Sequence, residues 1–144
     1  MRDIIFKAKR LDNGEWIQGD LRHWRSGRVG IHDEVTHRTI EVDPETIGEY
    51  TSQWDKDGKW IFEGDRVLYR FSGVDSYGVV LFGTYGDQSG RCDQGFYIRW
   101  EDDADCLRSD LGFWTTEREI EIVGNIHDTE KEREGAKDGK TDSV

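Results

Sequence analysis

Several residue types are nearly missing from this 144-residue chain. It has one Pro (Pro44), one Met and three Ala. Ala is the strongest helix former. Its scarcity, beside 11 Ile, 9 Val, six Trp, five Tyr and six Phe, weighs towards strands. Cys92 and Cys106 are the only cysteines, and they form no CxxC pair. Two cysteines make neither a dense disulfide framework nor a four-Cys zinc site. No stretch approaches the ~20 apolar residues that cross a bilayer. The segment Met1 to Lys7 lacks the apolar core of a signal peptide. These absences set the expectation of a cytoplasmic protein with free thiols.

A basic excess is missing too. Twenty Lys and Arg stand against 31 Asp and Glu, a net charge of −11. Nucleic-acid binders gain affinity by neutralising phosphates and releasing counterions, so the whole-molecule charge disfavours direct binding. The imbalance is uneven. Residues 73–144 hold 8 basic and 17 acidic residues, a net of −9, whereas residues 1–28 hold seven basic and four acidic. A nucleic-acid-linked role therefore has two forms: a binder using the basic N-terminal hairpin, or an acidic mimic that occupies a DNA site on a host protein.

What is present suffices for a core. Hydrophobic residues make up 34%, and 17 Gly bring the chain near the globular average. Residues 4–24 read as a hairpin turning at Asp12-Asn13-Gly14, with Gly19 a candidate bulge on the return strand. Short strands follow over 29–31 and 39–42. Asp43 is placed to cap a turn begun by Pro44, and residues 47–51 lead into a strand. Asp55-Lys56-Asp57-Gly58 is a turn flanked by Trp54 and Trp60, and Glu63-Gly64-Asp65 is another. Strands are expected over 67–71, 77–82, 96–100 and 119–126, with residues 83–95 as a glycine-rich connection. The pattern predicts an all-β fold with minor helix: a small antiparallel barrel-like fold, SH3-like in its C-terminal portion and packed on N-terminal hairpins. A single domain over 1–128 is expected, with sub-units at 1–51 and 58–128. Residues 129–144 read as a charged, disordered tail whose first turns suit a short helix.

Three constellations carry chemistry in principle. His32-Asp33-Glu34 with His37 is the most metal-like run and would serve a metal-assisted enzyme. Its five-residue His spacing on a strand-turn segment favours opposite faces as much as convergence, and a surface hairpin loop explains it equally. Glu101-Asp102-Asp103-Ala104-Asp105 offers carboxylates for a cation or for acid–base work but lacks the calcium-loop spacing. Cys106 beside that run sits in negative charge, which raises a thiol pKa and opposes a nucleophilic role. Ser89-Gly90 lacks the Gly-Lys-Ser/Thr element of a phosphate loop. Of the six tryptophans, at least four are expected in the core, with Trp54 and Trp60 the exposed pair.

Three stretches in order carry a family pattern. The first is Ile5-Phe6-Lys7-Ala8 with Trp16-Ile17-Gln18-Gly19-Asp20-Leu21. The second is Val42 to Thr51, including Asp43-Pro44-Glu45-Thr46-Ile47-Gly48-Glu49-Tyr50, continuing through Asp55-Lys56-Asp57-Gly58-Lys59-Trp60-Ile61-Phe62-Glu63-Gly64-Asp65-Arg66-Val67. The third is Glu121-Ile122-Val123-Gly124-Asn125-Ile126-His127. Together they resemble the YopX-like family, small proteins encoded mainly by phages and prophages. The pattern departs at Ser52-Gln53-Trp54, where a Gly-Leu pair is commoner, and at Phe62, where Tyr is usual. The resemblance implies a mostly β fold with a barrel-like portion. It brings no mechanism, no cofactor and no catalytic residue. The motif residues it marks are Trp16, Gly19, Asp20, Glu45, Thr46, Gly48, Tyr50, Asp57, Gly58, Glu63, Gly64, Asp65, Gly124 and Asn125. The sequence as a whole favours a non-enzymatic module that binds a protein partner or itself as a homo-oligomer.

Overall fold

The computed structural model describes residues 2–86, 89–101, 109–116 and 119–133. Ten strands and a short helix run along the chain: β1 (Phe6–Lys9), β2 (Trp16–His23), β3 (Val29–Asp33), β4 (Arg38–Glu41), β5 (Gly48–Trp54), β6 (Trp60–Phe62), β7 (Asp65–Phe71), β8 (Val74–Gly86), β9 (Cys92–Trp100), α1 (Leu111–Thr116) and β10 (Ile120–Asn125). A 3-10 turn, Pro44–Thr46, precedes β5. The chain divides into two compact units, Met1–Ser52 and Gln53–Val144.

In the first unit the strands lie in the order β4-β3-β2-β1-β5, and the β1–β2, β2–β3 and β3–β4 ladders are antiparallel. β5 continues past Ser52 into the second unit, where β6 takes the next place beside it. Alternation explains the packing. Ala8, Val29, Ile31 and Val42 form a buried cluster, joined by Phe6, Ile17, Leu21 and Ile47. Burying each Val or Ile side chain contributes about 1.5–3 kcal/mol. Gly19, read as a bulge, instead keeps the ladder in register opposite Phe6. Its φ of 157° and the 2.4 Å from a built Cβ to His32 O show why only glycine fits.

The second unit orders its sheet β10-β7-β8-β9, all antiparallel. Ile61, Val67, Val80, Ile98, Leu111, Trp114 and Ile120 form its core. Trp114 is the hub, edge-on to Tyr69 (4.8 Å), Trp100 (4.9 Å) and Phe113 (5.2 Å). Such pairs add about 0.5–1.5 kcal/mol each beyond area burial.

The all-β class is therefore correct, but neither sheet closes into a barrel. Two local readings also need correction. The connection 83–95 is largely strand: Gly83 pairs with Gly95, Thr84 with Gln94, Tyr85 with Asp93 and Gly86 with Cys92. Tyr85 stacks on Tyr97 at 5.4 Å, giving this hairpin the side-chain pair its glycines lack. Helix α1 lies where the sequence pattern marks no element. Its sequence, Leu-Gly-Phe-Trp-Thr-Thr, has poor helix formers, and burial of Leu111 and Trp114 overrides that propensity. The hydroxyls of Thr115 and Thr116 bond back to Gly112 O at 3.2 and 2.7 Å.

The turn at Pro44 behaves as read, with Asp43 Oδ1 accepting from Glu45 N at 3.0 Å. Helical geometry also starts at 130–133, opened by a reciprocal box: Thr129 N donates to Glu132 Oε1, and Glu132 N to Thr129 Oγ1. The rest of the tail, residues 134–144, lies outside the described residues.

Candidate functional site

Most of the polar motif residues are explained from the backbone upward. In the first unit, Thr46 is buried, and its hydroxyl accepts from Lys9 N (2.8 Å) while donating to Asp43 O (2.7 Å). One side chain thus fastens the 3-10 turn to β1. Glu45 is exposed and supplies its backbone N–H to the Asp43 cap. Gly48 pairs with Lys7 and is buried. Tyr50 is buried, its N–H bonded to Ile5 O at 2.7 Å. Burial, helped by the charge of Asp3, pushes its phenol above the ordinary tyrosine value, so the ring stays neutral at physiological pH.

The second unit joins residues far apart in sequence. Asp65 is 1% exposed, and both its carboxylate oxygens are occupied. Oδ2 accepts from Phe62 N (2.8 Å) and Oδ1 from Asn125 Nδ2 (3.0 Å). Asn125 Oδ1 accepts in turn from His127 N, and Asp128 Oδ2 accepts from Asn125 N, each at 2.9 Å. Gly64, at φ 94°, donates to Val80 O and accepts from Ile126 N. A Cβ there would stand 3.3 Å from Asn125 Nδ2. Glu63-Gly64-Asp65 and Gly124-Asn125 therefore form one buried knot across 60 residues of chain. Glu63 beside it is half-buried. The carboxylate in this knot faces backbone and amide donors, with no room to meet a substrate.

A second knot was not foreseen as such. Asp55 is 4% exposed; Oδ1 accepts from Asp57 N and Lys59 N, and Oδ2 from Ile122 N, all at 2.9 Å. The turn signal was visible in Asp55-Lys56-Asp57-Gly58, and Gly58 closes it at φ 82°. The long-range bond to β10 left no mark in the sequence. Asp57 and Gly58 themselves are exposed.

The metal-like run does not converge. His32 sits in β3 opposite Thr39, and His37 occupies the following turn at φ 57°. Asp33 is spent on that turn, accepting from Val35 N and Thr36 Oγ1. Among the described residues, no group of three or more His, Cys, Asp or Glu side chains is placed to hold an ion. Glu101 is paired with Arg66 Nη2 at 3.1 Å. Residues 102–108, with Cys106 and the other carboxylates of that run, lie outside the described residues.

The aromatic reading is half right. Trp54 (59%) and Trp60 (42%) are exposed as expected, flanking the Asp55 turn. Only Trp114 is fully buried, Trp16 and Trp100 are half-buried, and Trp24 is exposed, so fewer than four serve a core. Cations explain part of this. Lys7 Nζ and Lys9 Nζ lie 4.8 and 5.4 Å from the Trp16 ring centre, and the Arg28 guanidinium lies 5.4 Å from that of Trp24. Asp20, next to Gly19, is exposed opposite His32.

The model for the YopX protein family matches residues 6–131 of this chain. The chain belongs to the YopX family. Comparison with curated proteins and with solved structures gives no significant match. For this YopX protein the match spans both knots, the Thr46 fastening and both exposed tryptophans. No described helix is long and apolar enough to cross a membrane.

Proposed function

We propose that this YopX protein is a non-enzymatic binding module of phage or prophage origin that captures a protein partner or a second copy of itself. The observation that carries the reading is the rigid turn at Asp55, with Trp54 and Trp60 exposed on either side. Exposed Trp is costly in water and concentrates where partners bind, because it brings large contact area with few rotatable bonds. The Asp55 carboxylate pre-orders the backbone between the two rings, so less entropy is lost on docking. The motif's own polar side chains support the same view. Thr46, Asp65 and Asn125 are engaged in holding backbone, which leaves recognition to the apolar surface. A cytoplasmic site of action in the phage host belongs to this proposal.

A nucleic-acid-linked accessory role is the second reading, favoured by the cation–aromatic stacks at Trp16 and Trp24. The charge of −11 and the Arg28–Glu41 ion pair weigh against direct binding. Capture from host lysate on immobilised protein separates the two. A protein retained by the wild type, lost on Trp54→Ala/Trp60→Ala and not displaced by DNA supports the first reading. A retained protein that DNA displaces, indifferent to the tryptophans, supports the second.

A further inference from the structure

The chain contains two asparagines, and the fold treats them in opposite ways. Asn125 is 4% exposed, with its Nδ2 donating to Asp65 Oδ1 and its Oδ1 accepting from His127 N; Ile126 follows it. Asn13 is exposed at the tip of the β1–β2 hairpin, and Gly14 follows it. Hydrogen bonds shape that tip. Gly14 N–H donates to Arg10 O and Arg10 N–H to Glu15 O, both at 2.9 Å. Glu15 N–H donates to Asn13 Oδ1, also at 2.9 Å. Gly14 stands at φ 73°, and the space where a Cβ would project holds no atom within 4 Å.

A carboxamide placed in this way can react with the next backbone nitrogen. The bond from Glu15 N–H polarises the Asn13 side-chain carbonyl and stabilises the negative charge its oxygen gains when Cγ is attacked. Gly14 has no side chain, so its nitrogen is unhindered and its backbone turns towards Cγ at little steric cost. The bond to Arg10 O restrains that nitrogen, but bonds in exposed hairpin tips open at low free energy. Asn125 has none of these freedoms: its amide is engaged on both sides, and the β-branched Ile126 crowds the nitrogen that would attack.

We propose that Asn13 is a self-modification site, where the folded protein converts its own carboxamide to a carboxylate with time. Gly14 N gives its proton to solvent base and attacks Asn13 Cγ. A C–N bond forms, the Cγ–Nδ2 bond breaks, and the nitrogen leaves as ammonia after taking a proton from water. The cyclic imide then adds water at either carbonyl. The products are an aspartate and its β-linked isomer, whose main chain is one carbon longer. Either product sets a new negative charge beside Glu15, where Asn13 Nδ2 now donates to Oε2 at 3.4 Å. The basic balance of the N-terminal hairpin falls by one charge. Asp57-Gly58 is also exposed, but a carboxylate is a poorer electrophile than a carboxamide, and its reaction leaves mass and charge unchanged.

The test incubates the full chain for weeks in mildly alkaline buffer, folded and in urea, and follows tryptic peptides by mass spectrometry. The peptide of residues 11–22 from the folded protein should gain the one mass unit that separates Asp from Asn and split into two chromatographic isomers. The gain should quicken with rising pH, because the attacking nitrogen must lose its proton, and the peptide holding Asn125 should keep its mass. Asn13→Ser retains a hydroxyl to accept from Glu15 N–H but removes the carbonyl, and its peptide should show no gain. A folded protein whose 11–22 peptide keeps its mass, whatever the urea sample does, overturns the proposal. A gain that persists in Asn13→Ser also overturns it, since the reaction would then lie at Gln18 of the same peptide.

Discussion

Asn125 illustrates what a motif residue does in this fold. Its amide gives one hydrogen to buried Asp65 and takes one from His127 N. Asn125→Ala leaves both partners inside the protein without their bonds, which costs about 1–3 kcal/mol for each buried group left unsatisfied. Urea denaturation should register a loss of that order, with the slope unchanged. Ser52 points the other way. It sits at φ 65°, in the left-handed region, with its Oγ buried and no bond partner among the described residues. A left-handed conformation costs a non-glycine residue roughly 1–2 kcal/mol. Ser52→Gly should therefore raise the unfolding free energy by about 1 kcal/mol, the gain being trimmed by the greater freedom of glycine in the unfolded chain. The same denaturation curves decide it; a midpoint at or below the wild type's would contradict the strain argument.

At the scale of elements, the Asp55 turn is the device that joins two strands without being one. Its carboxylate receives two amides of its own turn and one from β10. Asp55→Ala should leave the core clusters intact yet speed amide exchange at Lys59 and Ile122 together, because one carboxylate serves both. Exchange that rises at Lys59 alone would show that the bond to β10 carries little. The elements also show what a single sequence can disclose. Strands with alternating apolar residues, such as β1 and the second half of β9, and turns built on Asp-Gly or Asp-Pro, were legible because their signals are local. Helix α1 was not, since its six residues are helical only through what Leu111 and Trp114 bury. The distal β8–β9 hairpin was not, because paired glycines at 83 and 95 look like a loop until the facing strand is known. The Asp65–Asn125 knot was half legible: both members stood out as motif residues, but a bond across 60 positions has no sequence signature.

For the whole molecule, the charge asymmetry and the aromatics carry the functional argument. Residues 73–144 carry a net charge of −9, and a surface of that sign repels polyanions. Phe71 (65%) and Val74 (64%), at the β7–β8 turn, add to the apolar exposure of this unit. Under the proposed function, Trp54 and Trp60 are where a protein partner docks. Truncating both rings should leave the melting temperature within a few degrees of the wild type's, since neither lies in a core cluster.

The most direct measurement of the central claim is the comparison of wild-type and Trp54→Ala/Trp60→Ala protein, each immobilised and equilibrated with host lysate in the presence and absence of DNA. The account predicts a specific protein retained by the wild type with or without DNA, and its recovery reduced at least tenfold on the double variant. Equal recovery on both surfaces, or retention that DNA abolishes, would contradict it.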